Sequence, residues 1–321
     1  MPKVSVVVPI YGVEKYIERC TRSLFEQTLE DMEFVFVDDC TKDNSIAVLE
    51  KVIDMYPNRR CQIKIIHHEQ NKGLSYARKT GVDNATGYYI GFCDSDDWVD
   101  RTMFEKLYNR AISGNFDYVK CGHTISDGEN SLEKVLVSFS DNDDRDKVLS
   151  QLLRWKGINS IWDTLIKREI YSNNICYTKN AMLEDFFISI QLISNSSLFG
   201  TVQEPLYYYY QNPDSICSVP TKDAVLKRCK QAEDNILWAI EYLNNNYNNK
   251  YNKELTILKS IPRRMLVPIM NDYSNYSIWK NTLHGNFFSY FFSPHCTLQE
   301  KAQYALICLR VYPIFKRLKS N

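Results

Sequence analysis

Aspartates gather at two places in this 321-residue chain, Asp38-Asp39 and Asp94-Ser95-Asp96-Asp97, each directly after an apolar run. Carboxylates crowded at one edge repel one another unless a cation or hydrogen-bond donors compensate. A single aspartate at a strand end is usually a cap or a turn residue; two clusters on equivalent loops are harder to explain that way. The Asp94-x-Asp96 spacing predicts two carboxylates on one side of an extended segment. Such a pair suits a hard cation, Mn2+ or Mg2+, which takes only one or two protein oxygens when it also binds a diphosphate. A further acidic pair, Glu184-Asp185, opens a helical period. By itself that pair is equally a favourable charge in a helix's first turn.

The elements that must position these residues alternate along the first ~120 residues. Val4–Pro9, Glu33–Val37, Ile63–His67 and Tyr88–Cys93 read as strands. The first is apolar throughout, as a parallel strand covered on both faces requires. Between them lie helical periods, with Tyr16, Ile17, Cys20 and Leu24 on one face, then Asn44–Tyr56, then Ser75–Ala85. Strands alternating with such helices predict βαβ units and a largely parallel sheet, whose ligands bind outside the carboxyl ends of its strands. Beyond Arg101 the beat loosens. Asp117–His123 and Lys134–Phe139 read as a hairpin around Asp127-Gly128, and Leu206–Tyr210 as a short aromatic strand. Helices are expected at Asp144–Trp155, Glu184–Ser194, Ala224–Tyr247, Leu255–Asp272 and Leu298–Leu318, with Asn244–Asn252 a loop.

Composition narrows the class. Apolar residues make up 44% and charged residues 24%, so a buried core is affordable and wholesale disorder is excluded. The 39 basic and 39 acidic side chains cancel, leaving no field to collect nucleic acid. Ten cysteines without a Cys-x-x-Cys, three of them (Cys20, Cys93, Cys121) in apolar stretches, read as free thiols in a reducing cytoplasm. The first residues form no signal-peptide core, and no run reaches the ~18 apolar residues of a membrane span. In residues 297–321, five basic side chains against Glu300 leave a net charge of +4 beside apolar residues, which fits either a C-terminal helix packed on the domain or peripheral contact with an anionic membrane.

Four blocks carry a resemblance. Val4-Ser5-Val6-Val7-Val8-Pro9-Ile10-Tyr11 with Glu14-Lys15-Tyr16-Ile17, Val37-Asp38-Asp39-Cys40-Thr41-Lys42-Asp43, Asn71-Lys72-Gly73-Leu74-Ser75-Tyr76-Ala77-Arg78 and Gly91-Phe92-Cys93-Asp94-Ser95-Asp96 resemble, in order and spacing, the inverting nucleotide-sugar glycosyltransferases of family 2. Trp162-Asp163, Glu184-Asp185-Phe186-Phe187 and Tyr207–Gln211 are similar to later landmarks of that family.

The resemblance implies a GT-A fold, a Rossmann-like mostly parallel mixed sheet flanked by helices. It places a catalytic domain at residues 1–215, with a nucleotide half at 1–105 and an acceptor half at 106–215, before a helical region at 216–321. It implies that Pro9 and Tyr11 line the base pocket, that Asp39 bonds the base edge, and that Asn71 and Arg78 support base and diphosphate. Glu14 and Ser95 belong to the same nucleotide-binding set; Asp94 faces the ribose and, with Asp96, the metal. Asp185 is the implied general base, with Glu184 beside it. The implied reaction moves a sugar from a nucleotide donor, UDP-linked in the first expectation, to a saccharide or lipid-linked saccharide hydroxyl in cell-surface polysaccharide synthesis.

Three positions depart from the family pattern: Gly12 stands for Asn, Cys40-Thr41 for Gly-Ser, and Lys79-Thr80 for an Asn-containing pair. A nicotinamide dehydrogenase shares the strand-helix beat but wants Gly-x-Gly-x-x-Gly after the first strand, and Pro9-Ile10-Tyr11-Gly12-Val13-Glu14 is not that. A degenerate partner subunit is the remaining alternative, and the intact Asp94, Asp96 and Asp185 speak against it.

Overall fold

The computed structural model describes residues 1–319 except 142, 155–158, 173, 214, 216–218, 286–290 and 293–296. The expected helix end at Trp155 lies outside the described residues. The chain divides into two compact units, one of residues 1–151, 157–179 and 188–213, the other of 152–156, 180–187 and 214–321.

The first unit is built on a single mixed sheet. Along the chain the elements to residue 210 run β1 (Val4–Ile10), α1 (Ile17–Phe25), β2 (Met32–Asp38), α2 (Ser45–Met55), β3 (Ile63–His67), α3 (Leu74–Asn84), β4 (Tyr89–Phe92), β5 (Trp98–Val99), α4 (Met103–Ser113), β6 (Tyr118–Ser126), β7 (Ser131–Val135), α5 (Arg145–Leu153), β8 (Thr164–Lys167), α6 (Arg168–Tyr171), α7 (Glu184–Asn195) and β9 (Phe199–Tyr210). All belong to this unit except residues 152–153 of α5 and 184–187 of α7, which fall in the second. The strand order is β3-β2-β1-β4-β8-β6-β9-β5, with β7 paired to β6. β3, β2, β1 and β4 are mutually parallel, as the alternating pattern predicts. β8 then runs antiparallel to both β4 and β6, and β9 returns parallel to β6. All seven residues of β1 are buried, because helices cover both faces of the parallel half. α3 lies so close to β1 that a Cβ on Gly81 would sit 2.2 Å from Val7 Cγ1.

Three expectations change here. The second hairpin strand, expected at Lys134–Phe139, is Ser131–Val135. β5 and β8, invisible as periodic runs, are two and four residues long. The aromatic strand expected at Leu206–Tyr210 begins at Phe199, since Phe199–Val202 pair with Tyr118–Cys121 before the register shifts at Gly122.

The second unit is helical. α8 (Lys222–Tyr247) is capped by the Thr221 side chain. The stretch expected as one helix from Leu255 divides into α9 (Asn252–Leu258), α10 (Ile261–Met265) and a 3₁₀ turn at Val267–Ile269, since Pro262 and Pro268 cannot donate within a continuing helix. α11 (Tyr276–Asn281), α12 (Leu298–Cys308) and α13 (Tyr312–Lys319) follow. Leu266, Met270, Trp279, Tyr304, Ile307 and Tyr312 form its core with Val225 and Cys229 of α8.

Candidate functional site

The strand order reverses at β1, whose sequence neighbour β2 lies on one side and β4 on the other. The crevice outside the carboxyl ends of such strands is where open α/β sheets take ligands. Here it is bounded by the loops after β1, β2 and β4. The first two loops are joined by hydrogen bonds. Gly12 N donates to Thr41 Oγ1 (2.8 Å), Val13 N to Ser45 Oγ (3.0 Å) and Glu14 N to Asp43 Oδ2 (2.9 Å). Glu14 in turn accepts from Asn44 N (2.8 Å). Its carboxylate therefore ties the β1 loop to the start of α2. Asp43 is held below the usual carboxylate range: burial pushes it up, but donors from Ser45, Glu14 and Thr41 outweigh that.

Asp39 is buried and organises the next loop. Its Oδ1 accepts from Lys72 N (2.7 Å) and pairs with His68 Nδ1 (2.7 Å), while Oδ2 accepts from Gly73 N (2.8 Å). Gly73 precedes α3 at φ +89°, a conformation that favours glycine. His68 reaches Thr80 Oγ1 (2.8 Å) through its other nitrogen. His68 is thus a structural histidine, and Thr80, one of the departures from the family pattern, is its partner. Cys40 adopts φ +59°, the left-handed region, at the position where the family pattern has glycine.

Asp94–Asp97 is a turn, closed by Asp97 N donating to Asp94 O (3.0 Å), and not the extended segment that the spacing predicts. The alternation survives nonetheless. Asp94 and Asp96 are half-buried, whereas Ser95 and Asp97 are buried. Arg78, 1% exposed on α3, donates to Asp94 Oδ1 at 2.6 Å. It is a buried countercharge, not a surface cation. Asp96 Oδ2 accepts from Asn212 Nδ2 (2.9 Å), and Arg19 Nη2 donates to Asp96 O (2.9 Å). Asp97 accepts from Tyr207 Oη (2.7 Å) and Tyr210 N (2.7 Å). Burial, with Asp96 and Asp94 adding repulsion, pushes its carboxyl well above the usual range.

Of the other expected nucleotide-binding residues, Pro9 is buried in the strand end, and Tyr11 and Asn71 are exposed. Glu184 is buried and Asp185 half-buried in the first turn of α7, which follows Leu183 at φ +62°. Sequence reasoning gave no site role to Asn212, Arg19 or Tyr207. Each reaches the aspartate turn from another element, and no local motif announces such a contact. Asp163, seen in the sequence only as part of a family landmark, is fully buried at the head of β8 and pairs with the buried Lys120 ammonium and with His123 Nδ1 (3.2 Å). Burial pushes Asp163 up, but Lys120 and His123 outweigh it and hold the carboxyl below its usual range.

Among the described residues, no three histidine, cysteine, aspartate or glutamate side chains converge as a metal-ligand set. A cation at Asp94 and Asp96 therefore requires a ligand bringing its own oxygens, as a diphosphate does. The donor set fits that arrangement, with one carboxylate tied to Arg78 and the other half-buried and oriented by an amide.

The glycosyl transferase family 2 model matches residues 5–180. An uncharacterized glycosyltransferase, EpsJ of Bacillus subtilis, is 33% identical over 70% of this chain and 66% of its own length. The cholesterol galactosyltransferase of Borreliella burgdorferi is 30% identical over 71% of this chain and 64% of its own. The chain thus spans just under two thirds of these two relatives. Among solved structures, Staphylococcus aureus TarS 1–349 in complex with UDP-GlcNAc shares 18% identity with a TM-score of 0.60, over 95% of this chain and 79% of that one. The mannosyltransferase PcManGT of Pyrobaculum calidifontis, in complex with GDP-Man and Mn2+, gives 13% and 0.59 over 99% and 86%. These likenesses establish the GT-A fold.

Proposed function

The chain belongs to glycosyl transferase family 2, and on that footing we propose that it moves a sugar, with inversion, from a UDP-sugar to a saccharide or lipid-linked saccharide hydroxyl in cell-surface polysaccharide synthesis. The observation that carries the reading is the Asp94–Asp97 turn at the carboxyl end of β4. There one carboxylate is neutralised by buried Arg78 and the other stands half-buried at the crevice. Relatives and neighbours support the sugar chemistry: one relative is named a minor teichoic acid biosynthesis protein, and the TarS neighbour was solved with UDP-GlcNAc.

In this reading Pro9, Tyr11 and Asn71 surround the base, and Arg78 with Asp94 lies beside the ribose and diphosphate. Asp39, just past β2, fixes the β3–α3 loop against them through Lys72 N and Gly73 N, with Glu14 and Ser95 holding the surrounding backbone. A divalent cation, Mn2+ or Mg2+, would be held by Asp96 with Asp94 and would offset charge growing on the departing diphosphate. Asp185 takes the proton from the acceptor hydroxyl as its oxygen bonds to the anomeric carbon and the bond to the diphosphate oxygen breaks. Glu184, buried beside it, is the second candidate. The left-handed Leu183 immediately before them supports a functional role, since such strain gathers at working sites.

The acceptor reading extends to a membrane. One face of α12 and the start of α13 pack inward through Tyr304, Ile307 and Tyr312, while Leu309 (72% exposed), Ile314 (53%) and Phe315 (44%) stay outside beside exposed Arg310, Lys316 and Arg317. Basic residues flanking an apolar row suit an anionic lipid surface.

The test is nucleotide release from a panel of UDP-, GDP- and dTDP-sugars with Mn2+ and saccharide acceptors. Release from a UDP-sugar is expected, and Asp185→Asn should lower it by about 10²–10⁴ while UDP affinity barely changes. No release from any donor would support the degenerate-subunit alternative. Near-normal transfer by folded Asp185→Asn would pass the role to Glu184.

A further inference from the structure

Asp96 is gripped from two elements far from it in sequence. Asn212, just past β9, donates from Nδ2 to Asp96 Oδ2 at 2.9 Å, and Tyr16, just before α1, lies 3.2 Å by its hydroxyl from Asn212 Oδ1. A carboxylate only accepts, so Nδ2 must face Asp96. Asn212 Oδ1 then faces Tyr16, whose hydroxyl donates to it. The amide therefore has one orientation.

Its backbone is pinned as well. Asn212 N donates to Tyr210 O (2.7 Å), and Gln211 N to Ser126 O at the end of β6 (2.8 Å). Arg19 completes the grip on the main chain. Its guanidinium donates to Asp96 O and lies over the Trp98 ring (3.7 Å to the centroid) and the Tyr210 ring (4.9 Å). The backbone of residue 96 and one of its carboxylate oxygens are thus both fixed from outside the turn.

We infer that Asn212 and Tyr16 are positioning residues, a Tyr16–Asn212–Asp96 relay that holds Asp96 Oδ2 and so turns Asp96 Oδ1 to the divalent cation of a nucleoside diphosphate. The inference rests on the proposed function and assigns that function's metal affinity to side chains that touch neither metal nor nucleotide. Outer partners of this kind fix the direction of a ligand oxygen before the cation arrives, and losing one costs about 10–100-fold in metal affinity.

Calorimetric titration of UDP into the full chain at a series of Mn2+ concentrations reads the effect without catalysis. Asn212→Ala should raise the Mn2+ concentration for half-maximal UDP binding by about 10–100-fold. Tyr16→Phe, which keeps the ring and removes one oxygen, should move it in the same direction by a smaller factor. UDP affinity in EDTA should match the wild type in both. A merely structural role predicts a lower metal-free melting temperature with unchanged Mn2+ half-saturation, and that result in either folded variant would overturn the inference. Should Asn212→Ala not fold, Tyr16→Phe alone decides. Wild-type UDP binding without any Mn2+ dependence would instead bring down the functional reading itself.

Discussion

Three carboxylates within four residues do different things because each meets a different neighbour. Asp94 faces buried Arg78, Asp96 faces a neutral amide, and Asp97 is enclosed with two donors, Tyr207 Oη and Tyr210 N. Asp97 consequently has its carboxyl pushed up, chiefly by burial. An acid shifted this way contributes stability below its unfolded pKa, near 3.9, and that contribution is lost as pH rises through the folded value. Asp97→Asn keeps the shape and removes the titration. In metal-free protein, the melting temperature of the wild type relative to Asp97→Asn should therefore fall as pH rises through the window above the unfolded pKa. A constant or rising difference over that window would show that Asp97 is ionised in the fold without cost.

At the scale of elements, the loop after β2 carries its own strain. Cys40 sits at φ +59°, where a side chain costs roughly 1–2 kcal/mol. Glycine there relieves that cost but loses more chain entropy on folding, about 0.5–1 kcal/mol. Cys40→Gly should leave the protein more stable by about 0.5–1 kcal/mol, read as a higher urea midpoint at unchanged slope; a lower midpoint would mean that the Cys40 side chain contributes more than its backbone costs. β1 to β4 and their polar tips were legible because each strand is a buried apolar run followed directly by its loop. The Asp94-x-Asp96 pair was legible for the same reason, although a turn and not a strand presents it. β8 was not, since four residues inserted antiparallel between β4 and β6 show no period of their own. Nor was Asn212, whose partner lies 116 residues away and is reached only through the register of β9 on β6. Tyr207, expected in an aromatic strand, stacks on Trp162 at 4.3 Å, yet its hydroxyl also donates to Asp97 of the aspartate turn.

For the whole molecule, among the described residues no helix is long and apolar enough to cross a membrane. The proposed lipid contact is at the α12–α13 edge. At about 1 kcal/mol per basic residue near an anionic surface, the protein should float with phosphatidylglycerol vesicles at low salt and be released at high salt. Ile314→Glu with Phe315→Glu should abolish flotation; flotation that survives both salt and these changes would assign the binding elsewhere. The central claim is narrower: the turn after β4 binds a nucleoside diphosphate through a cation held by Asp96. Calorimetry with UDP, in Mn2+ and in EDTA, on wild type and Asp96→Asn tests it most directly. The wild type should bind UDP in Mn2+ and lose most of its affinity in EDTA, and Asp96→Asn should bind weakly in both. Equal wild-type affinity with and without the metal, or an Asp96→Asn variant that keeps the Mn2+ dependence, would contradict it.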